Sequence, residues 1–191
     1  MTNLALCEME LGHPDTGAQV LDPARKTAVS LLYNLGTLHY RAKHLAKALQ
    51  LVQAAAALDA DSEDVIHLLG CILMDSKRGR DALEILKRAT KLNPRCAYAW
   101  YDLGVTRARL RQRKLARAAL LRARKLAPNY PWVYYDLACL DALDRKADAA
   151  FKNLKLALMH GFHNVGHMQR DPDLRTLRRD SRWKALVRKA G

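Results

Sequence analysis

A chain of 191 residues that is 50% hydrophobic is long enough to bury a sizeable core, and 33 basic against 19 acidic side chains give it a net charge of +14. No apolar run approaches the roughly 18 residues of a membrane helix, and the first fifteen residues hold Glu8, Glu10 and Asp15 with no Lys or Arg, the opposite of a secretory signal. Neither a membrane span nor a basic leader is expected in the sequence as written; the expected compartment is cytoplasmic, unless an upstream segment has been trimmed away, and Cys7, Cys71, Cys96 and Cys139, which have no zinc spacing, read as reduced thiols.

In chain order, Leu4, Cys7 and Leu11 share one helical face that closes at Gly12-His13-Pro14. Residues 1–28 read either as a capping segment or as a degenerate repeat. Asp22-Pro23 offers an N-cap followed by proline at the first helical position, which predicts a helix that starts there and ends near Arg41. From residue 29 the chain repeats every 34 residues without a shift. Gly36, Gly70, Gly104 and Ala138 align in one column; Ala48, Ala82, Ala116 and Ala150 form a second; Ala55, Ala89, Ala123 and Ala157 form a third. Leu35, Leu69, Leu103 and Leu137 make a fourth, and Val52, Leu86, Leu120 and Leu154 a fifth. Apolar spacing within each period is that of two amphipathic helices. Breaks fall near Lys43-His44, Lys77-Arg78-Gly79, Arg111-Gln112-Arg113 and Arg145-Lys146, and at Asn93-Pro94 and Pro128. Each period predicts a helix hairpin, with small residues where the two helices approach most closely.

These columns resemble the tetratricopeptide repeat: a bulky residue, Leu, Gly, then Ala, a bulky residue, Ala and Pro. The resemblance covers residues 29–162 and implies an all-α fold, a right-handed superhelical solenoid of antiparallel hairpins. Four repeats are expected, at 29–62, 63–96, 97–130 and 131–164. Trp100 and Tyr134 take the bulky first column, and Pro94 and Pro128 the closing one. His39, Leu73, Arg107 and Asp141 occupy a column that is usually aromatic in the family. Residues 165–191, with DPDLRTLRRDSRW from Asp171, resemble a bacterial capping tail in which Leu174, Leu177, Trp183, Leu186 and Val187 would seal the last hairpin.

The resemblance also implies that the first helix of each hairpin lines a concave groove. Its positions here are Ser30, Tyr33, Asn34, Thr37 and Tyr40, then Asp64, His67, Leu68, Cys71 and Met74. The later repeats add Tyr98, Tyr101, Asp102 and Val105, then Trp132, Tyr135, Asp136 and Cys139. Tyr101-Asp102-Leu103-Gly104 returns as Tyr135-Asp136-Leu137-Ala138, so the same aromatic and the same carboxylate are expected to face the groove twice; a recent duplication would leave the same echo. Asp64, Asp75, Asp102 and Asp136 against Arg41 and Arg109 near the rim make the groove acidic. The expected partner is a protein or peptide segment with basic and apolar residues. Family members that clamp a chaperone's C-terminal carboxylate use Lys, Asn and Arg at positions that here hold Tyr33, Thr37, Leu68, Tyr98 and Asp102, or His67, Cys71, Asp102, Trp132 and Asp136, so that role is not expected.

From Leu103 to Tyr135 there is no acid, and the third repeat carries a net charge of about +8 by counting side chains. Arg107, Arg111, Arg113, Lys114, Arg117 and Arg124 form a candidate basic surface, either a solvated outer face or a site for nucleic acid or another polyanion. His160, His163 and His167 are interrupted by Gly161 and Gly166 and do not read as a metal site. No phosphate loop, nucleophile elbow or HExxH helix occurs, so neither an enzyme nor a cofactor is expected.

Overall fold

The computed structural model describes residues 14–190, so the expectation for Leu4, Cys7 and Leu11 lies outside the described residues. The described residues form ten α-helices and two 3-10 turns, with no strand. The helices are α1 (Pro14–Arg41), α2 (Leu45–Leu58), α3 (Glu63–Asp75), α4 (Gly79–Leu92), α5 (Ala97–Arg109), α6 (Arg113–Leu126), α7 (Pro131–Leu143), α8 (Ala147–Met159), α9 (Val165–Arg170) and α10 (Ser181–Ala190). The 3-10 turns, Pro172–Leu174 and Leu177–Arg179, lie between α9 and α10. The chain divides into two compact units, up to Leu92 and from Asn93 onward.

The first unit holds the hairpins α1/α2 and α3/α4. The helix α1 ends at Arg41 as expected but begins at Pro14, with Pro23 inside it rather than at its start. Proline removes one backbone N–H from the helix, and on its C-terminal side Thr27 Oγ1 donates to the Pro23 carbonyl at 2.9 Å. The core of this unit joins Ala48, Val52 and Ala55 of α2 to Val65, Leu69 and Ile72 of α3 and Ala82 of α4.

In the second unit, Ala116, Leu120 and Ala123 of α6 pack on Val133, Leu137 and Leu140 of α7. A further cluster joins Ala138, Phe151 and Leu154 of the α7/α8 hairpin to Leu174, Leu177, Trp183 and Leu186 of the tail, with Val187 packed against it. That cluster gives the last hairpin an apolar partner, which the final member of a stack otherwise lacks.

Two local devices carry the 34-residue period. The first is the glycine column: a Cβ placed on Gly36, Gly70 or Gly104 would lie 2.5, 2.7 or 2.7 Å from Val52, Leu86 or Leu120 on the facing helix. The second is the turn. Lys43, Lys77, Arg111 and Arg145 all have positive φ, at 62°, 60°, 61° and 59°. In each case the next residue donates back across the helix end, as His44 to the His39 carbonyl at 2.9 Å and Lys146 to the Asp141 carbonyl at 2.8 Å. This left-handed cap satisfies the last carbonyls of the first helix. Glycine is the usual occupant; here a cation at the negative end of the helix takes the position each time.

The bulky first column is pinned the same way. Trp100 Nε1 donates to the Pro94 carbonyl at 3.0 Å, and Tyr134 Oη to the Pro128 carbonyl at 2.6 Å.

Candidate functional site

The first helices carry the residues expected to face a partner, and the structure separates them into two kinds. In the first unit, Asn34 and Asp64 are exposed, while Tyr33, Tyr40 and His67 are half-buried. Tyr40 donates its hydroxyl to Asp75 Oδ2 at 3.0 Å, and His67 sits beside Cys71, with Nε2 3.8 Å from Sγ.

In the second unit, Tyr98 is 57% exposed and meets Tyr130 edge-on at 5.3 Å, with Tyr101 on the same ring at 5.1 Å. Tyr130 completes this aromatic patch and is not among the expected site residues, because it is the last residue of its repeat and lies between helices rather than on a first helix. Tyr135 differs from the expectation. It is 2% exposed and stacked on Phe162 at 4.5 Å, so its ring belongs to the core. Trp132 is half-buried and packs edge-on against Tyr135 and Phe162.

The recurring Tyr-Asp is also a hydrogen-bonding register. The Tyr101 hydroxyl bonds the Asp136 carboxylate, and Tyr135 Oη donates to Asp171 Oδ2 at 2.5 Å. Each tyrosine thus meets an acid about one repeat further on, and the tail supplies the last one. Asp171 is fully used there: Oδ1 accepts from the Asp173 amide at 2.9 Å, and Arg178 binds its carbonyl. Asp102 is half-buried.

Asp136 is half-buried. The residue keeps some exposed surface, but Oδ2 is shielded from solvent and has no hydrogen-bond partner. Burial is the main cause that pushes its pKa up to about 7; the Tyr101 bond and the charge of Arg109 oppose the rise, and Asp171 adds to it. Burial and Asp171 also raise Asp173. Burial pushes the Cys139 thiol up, and Asp171 and Asp136 push the same way.

Asp136 lines a pocket of about 450 Å³ bounded by α5, the turn after it, the start of α6, α7 and the tail. Val105, Ala108, Leu140 and Leu143 give it apolar walls, and Asp173, Arg109, Arg111 and Arg113 give it charge. Carboxylates and guanidinium groups thus line the same pocket of the second unit. The ligand atoms of Cys139, Asp171 and Asp173 lie within 4.8 Å of one another, but both Asp171 oxygens already accept hydrogen bonds. His160, His163 and His167 diverge: His160 stacks on Tyr134, His163 is exposed, and His167 Nε2 is 3.7 Å from Asp171.

The expected basic surface does not form one stripe. Arg111 and Arg113 turn to the pocket, Arg107 Nη1 donates to the Leu115 carbonyl at 3.3 Å, and Lys114 is exposed. Arg117 is structural: it pairs with the buried Asp141 at 2.7 Å and with Asp144 at 3.1 Å. Asn153 Nδ2 donates to the same Asp141 at 2.8 Å. Arg124 is half-buried on α6.

Stacked helix hairpins with small residues at the crossing and a polar pocket on the first-helix side define a helical-repeat protein. A tetratricopeptide repeat family model matches residues 2–63 and 67–131, and the chain belongs to that family. The match starts 27 residues before the four-repeat register and stops at the beginning of α7. No curated protein matches in sequence. Among solved structures, TTC0263 from Thermus thermophilus is 23% identical, covers 96% of this chain and 95% of its own, and has a TM-score of 0.65. PilF from Pseudomonas aeruginosa is 18% identical over 88% of this chain and 78% of its own, with a TM-score of 0.72. YrrB, described as a TPR protein with an unusual peptide-binding site, is 17% identical over 87% and 88%, with a TM-score of 0.64. These likenesses show the fold. No helix among the described residues is long and apolar enough to cross a membrane.

Proposed function

We propose that the chain is a non-enzymatic cytoplasmic scaffold that holds an extended or helical segment of a partner protein, bearing basic and apolar residues, on the first-helix face. In this reading four repeats, at 29–62, 63–96, 97–130 and 131–164, present that face, and residues 165–191 cap the last one. The observation that carries it is the exposed Tyr98 with Tyr101 and Tyr130, together with a pocket where Asp136 Oδ2 lacks a donor. Aromatic side chains give contact area at low entropic cost, and a buried acceptor without a partner gains from a guest that brings one. YrrB's peptide-binding site is compatible with this use of the fold. The basic outer surface is the weaker reading, because Arg107 and Arg117 are engaged within the fold and Arg111 and Arg113 line the pocket.

The test is a peptide library displayed against the purified chain, with selected peptides measured on two variants. Tyr98→Ser should weaken them tenfold or more, and Arg122→Glu with Lys125→Glu, at two exposed positions of α6, should leave them within twofold. The opposite pattern, with salt-dependent heparin binding lost in the second variant, would transfer the function to the outer helices.

A further inference from the structure

The pocket of the second unit has a chemistry finer than that of a general peptide groove. Its buried side holds Asp136, whose Oδ2 is shielded and unpartnered, with Asp173 on the tail side of the same pocket. Arg109 and Arg111, both exposed, line the same pocket, as does Arg113, whose charge acts on Asp173. Arg109 acts on Asp136 through its charge, yet Oδ2 receives no hydrogen bond from it or from any other described residue. Each oxygen of the other acid nearby, Asp171, already accepts a hydrogen bond, from Tyr135 and from the Asp173 amide. Val105, Ala108, Leu140 and Leu143 supply apolar surface that suits the methylene stem of a long side chain. A pocket of about 450 Å³ is within the size range of sites that enclose a small ligand.

We propose that this pocket takes one basic side chain of the bound segment, its head group received by Asp136 and Asp173, while Arg109 and Arg111 receive a carboxylate next to it in the segment. The inference rests on the groove reading above and adds a selectivity that reading does not contain. Three arginines line the pocket with two aspartates, so a run of consecutive basic residues is repelled where a single base beside an acid is held. A purely acidic segment meets Asp136 and Asp173 at the buried side.

The test uses the full chain, isotope-labelled for amide NMR, at pH 8, above the value of about 7 to which burial pushes Asp136. Three blocked dipeptides serve as probes: Arg-Glu, Arg-Arg and Glu-Glu. Arg-Glu should give saturable shifts confined to residues 105–113, 136–143 and 173, Arg-Arg should bind at least fivefold more weakly, and Glu-Glu should give none. Asp136→Asn, which keeps an acceptor for the Tyr101 hydroxyl, and Asp173→Asn should each weaken Arg-Glu at least threefold while the rest of the spectrum is retained. If Asp136→Asn does not fold, Asp173→Asn alone decides. Equal response to all three probes, a Glu-Glu preference, or unchanged binding in the folded variants would overturn the assignment. Display-selected peptides that depend on Tyr98 but not on Asp136 or Asp173 would sink the pocket and leave the groove standing; peptides that depend on none of the three would sink the groove itself.

Discussion

The α5/α6 and α7/α8 hairpins share a register, and they use the same positions differently. At one position α5 has Tyr101, half-buried against Tyr130, and α7 has Tyr135, buried on Phe162. Three residues later stand Gly104 and Ala138; three further on, Arg107, which reaches a carbonyl, and Asp141, which is buried in a pair with Arg117. A repeat therefore fixes where a side chain points but not what it meets. What it meets depends on the next element along: α7 for the first hairpin, the tail for the second. The tail makes the difference, since Asp171 and the apolar cluster around Trp183 draw Tyr135 into the core.

The largest expected effect tests the buried pair. Arg117→Met removes the partner of a carboxylate that is 2% exposed, and breaking such a pair costs about 3 to 5 kcal/mol. Urea unfolding should show that loss, whereas Lys114→Met on the same helix, at an exposed site, should change stability by less than about 0.5 kcal/mol. Equal effects would mean that Asp141 is not held by Arg117.

Next is a pH dependence. The folded-state pKa of Asp136 is raised to about 7, above its unfolded value of roughly 3.9. The folded state therefore binds the extra proton, and the stability this confers is fully present below about pH 4 and lost as pH rises through about 7. At one pKa unit per 1.36 kcal/mol, the loss is no more than about 4 kcal/mol. Asp136→Asn should flatten the melting temperature between pH 4 and 7 and raise it above pH 7, as followed by circular dichroism. An unchanged slope would show that other groups carry the dependence.

A smaller effect compares the two small residues. Gly104→Ala places a Cβ 2.7 Å from Leu120 Cγ, so the overpacking cost of about 1 to 3 kcal/mol exceeds the helix gain of about 1 kcal/mol. A net loss is expected in thermal melts, although the neighbouring hairpin carries alanine at this position. A stabilised variant would mean that Leu120 repacks freely.

The smallest effect is a gain. Arg145→Gly relieves a left-handed residue at φ 59° and should stabilise by up to about 1 kcal/mol. A loss would show that the cation at the helix end outweighs the strain.

The hairpins were legible because a 34-residue period leaves columns of Gly and Ala that have one physical reading, close helix approach. The breaks at Lys43, Lys77, Arg111 and Arg145 were legible as positions, but their left-handed backbone was not, since no glycine marks it. The start of α1 is not legible, because Asp22-Pro23 has the form of a helix start while the helix begins at Pro14. Tyr98 is exposed and Asp136 lines a pocket, while Tyr135 and Arg117, which the repeat places on surfaces, are buried or bound by partners far along the chain. The sequence does carry one signal of these bonds: Tyr101 to Asp136 and Tyr135 to Asp171 are separations of 35 and 36 residues, one repeat plus one or two.

On the proposed reading, a partner is held on the first-helix face of this protein. A photoreactive amino acid placed at position 98, on the exposed edge of α5, and separately at position 122, on the exposed surface of α6, tests it inside the cell. Discrete protein adducts from position 98, competed by a display-selected peptide, with none from position 122, are the predicted result. Adducts from position 122 alone, whether to protein or to nucleic acid, would contradict the claim.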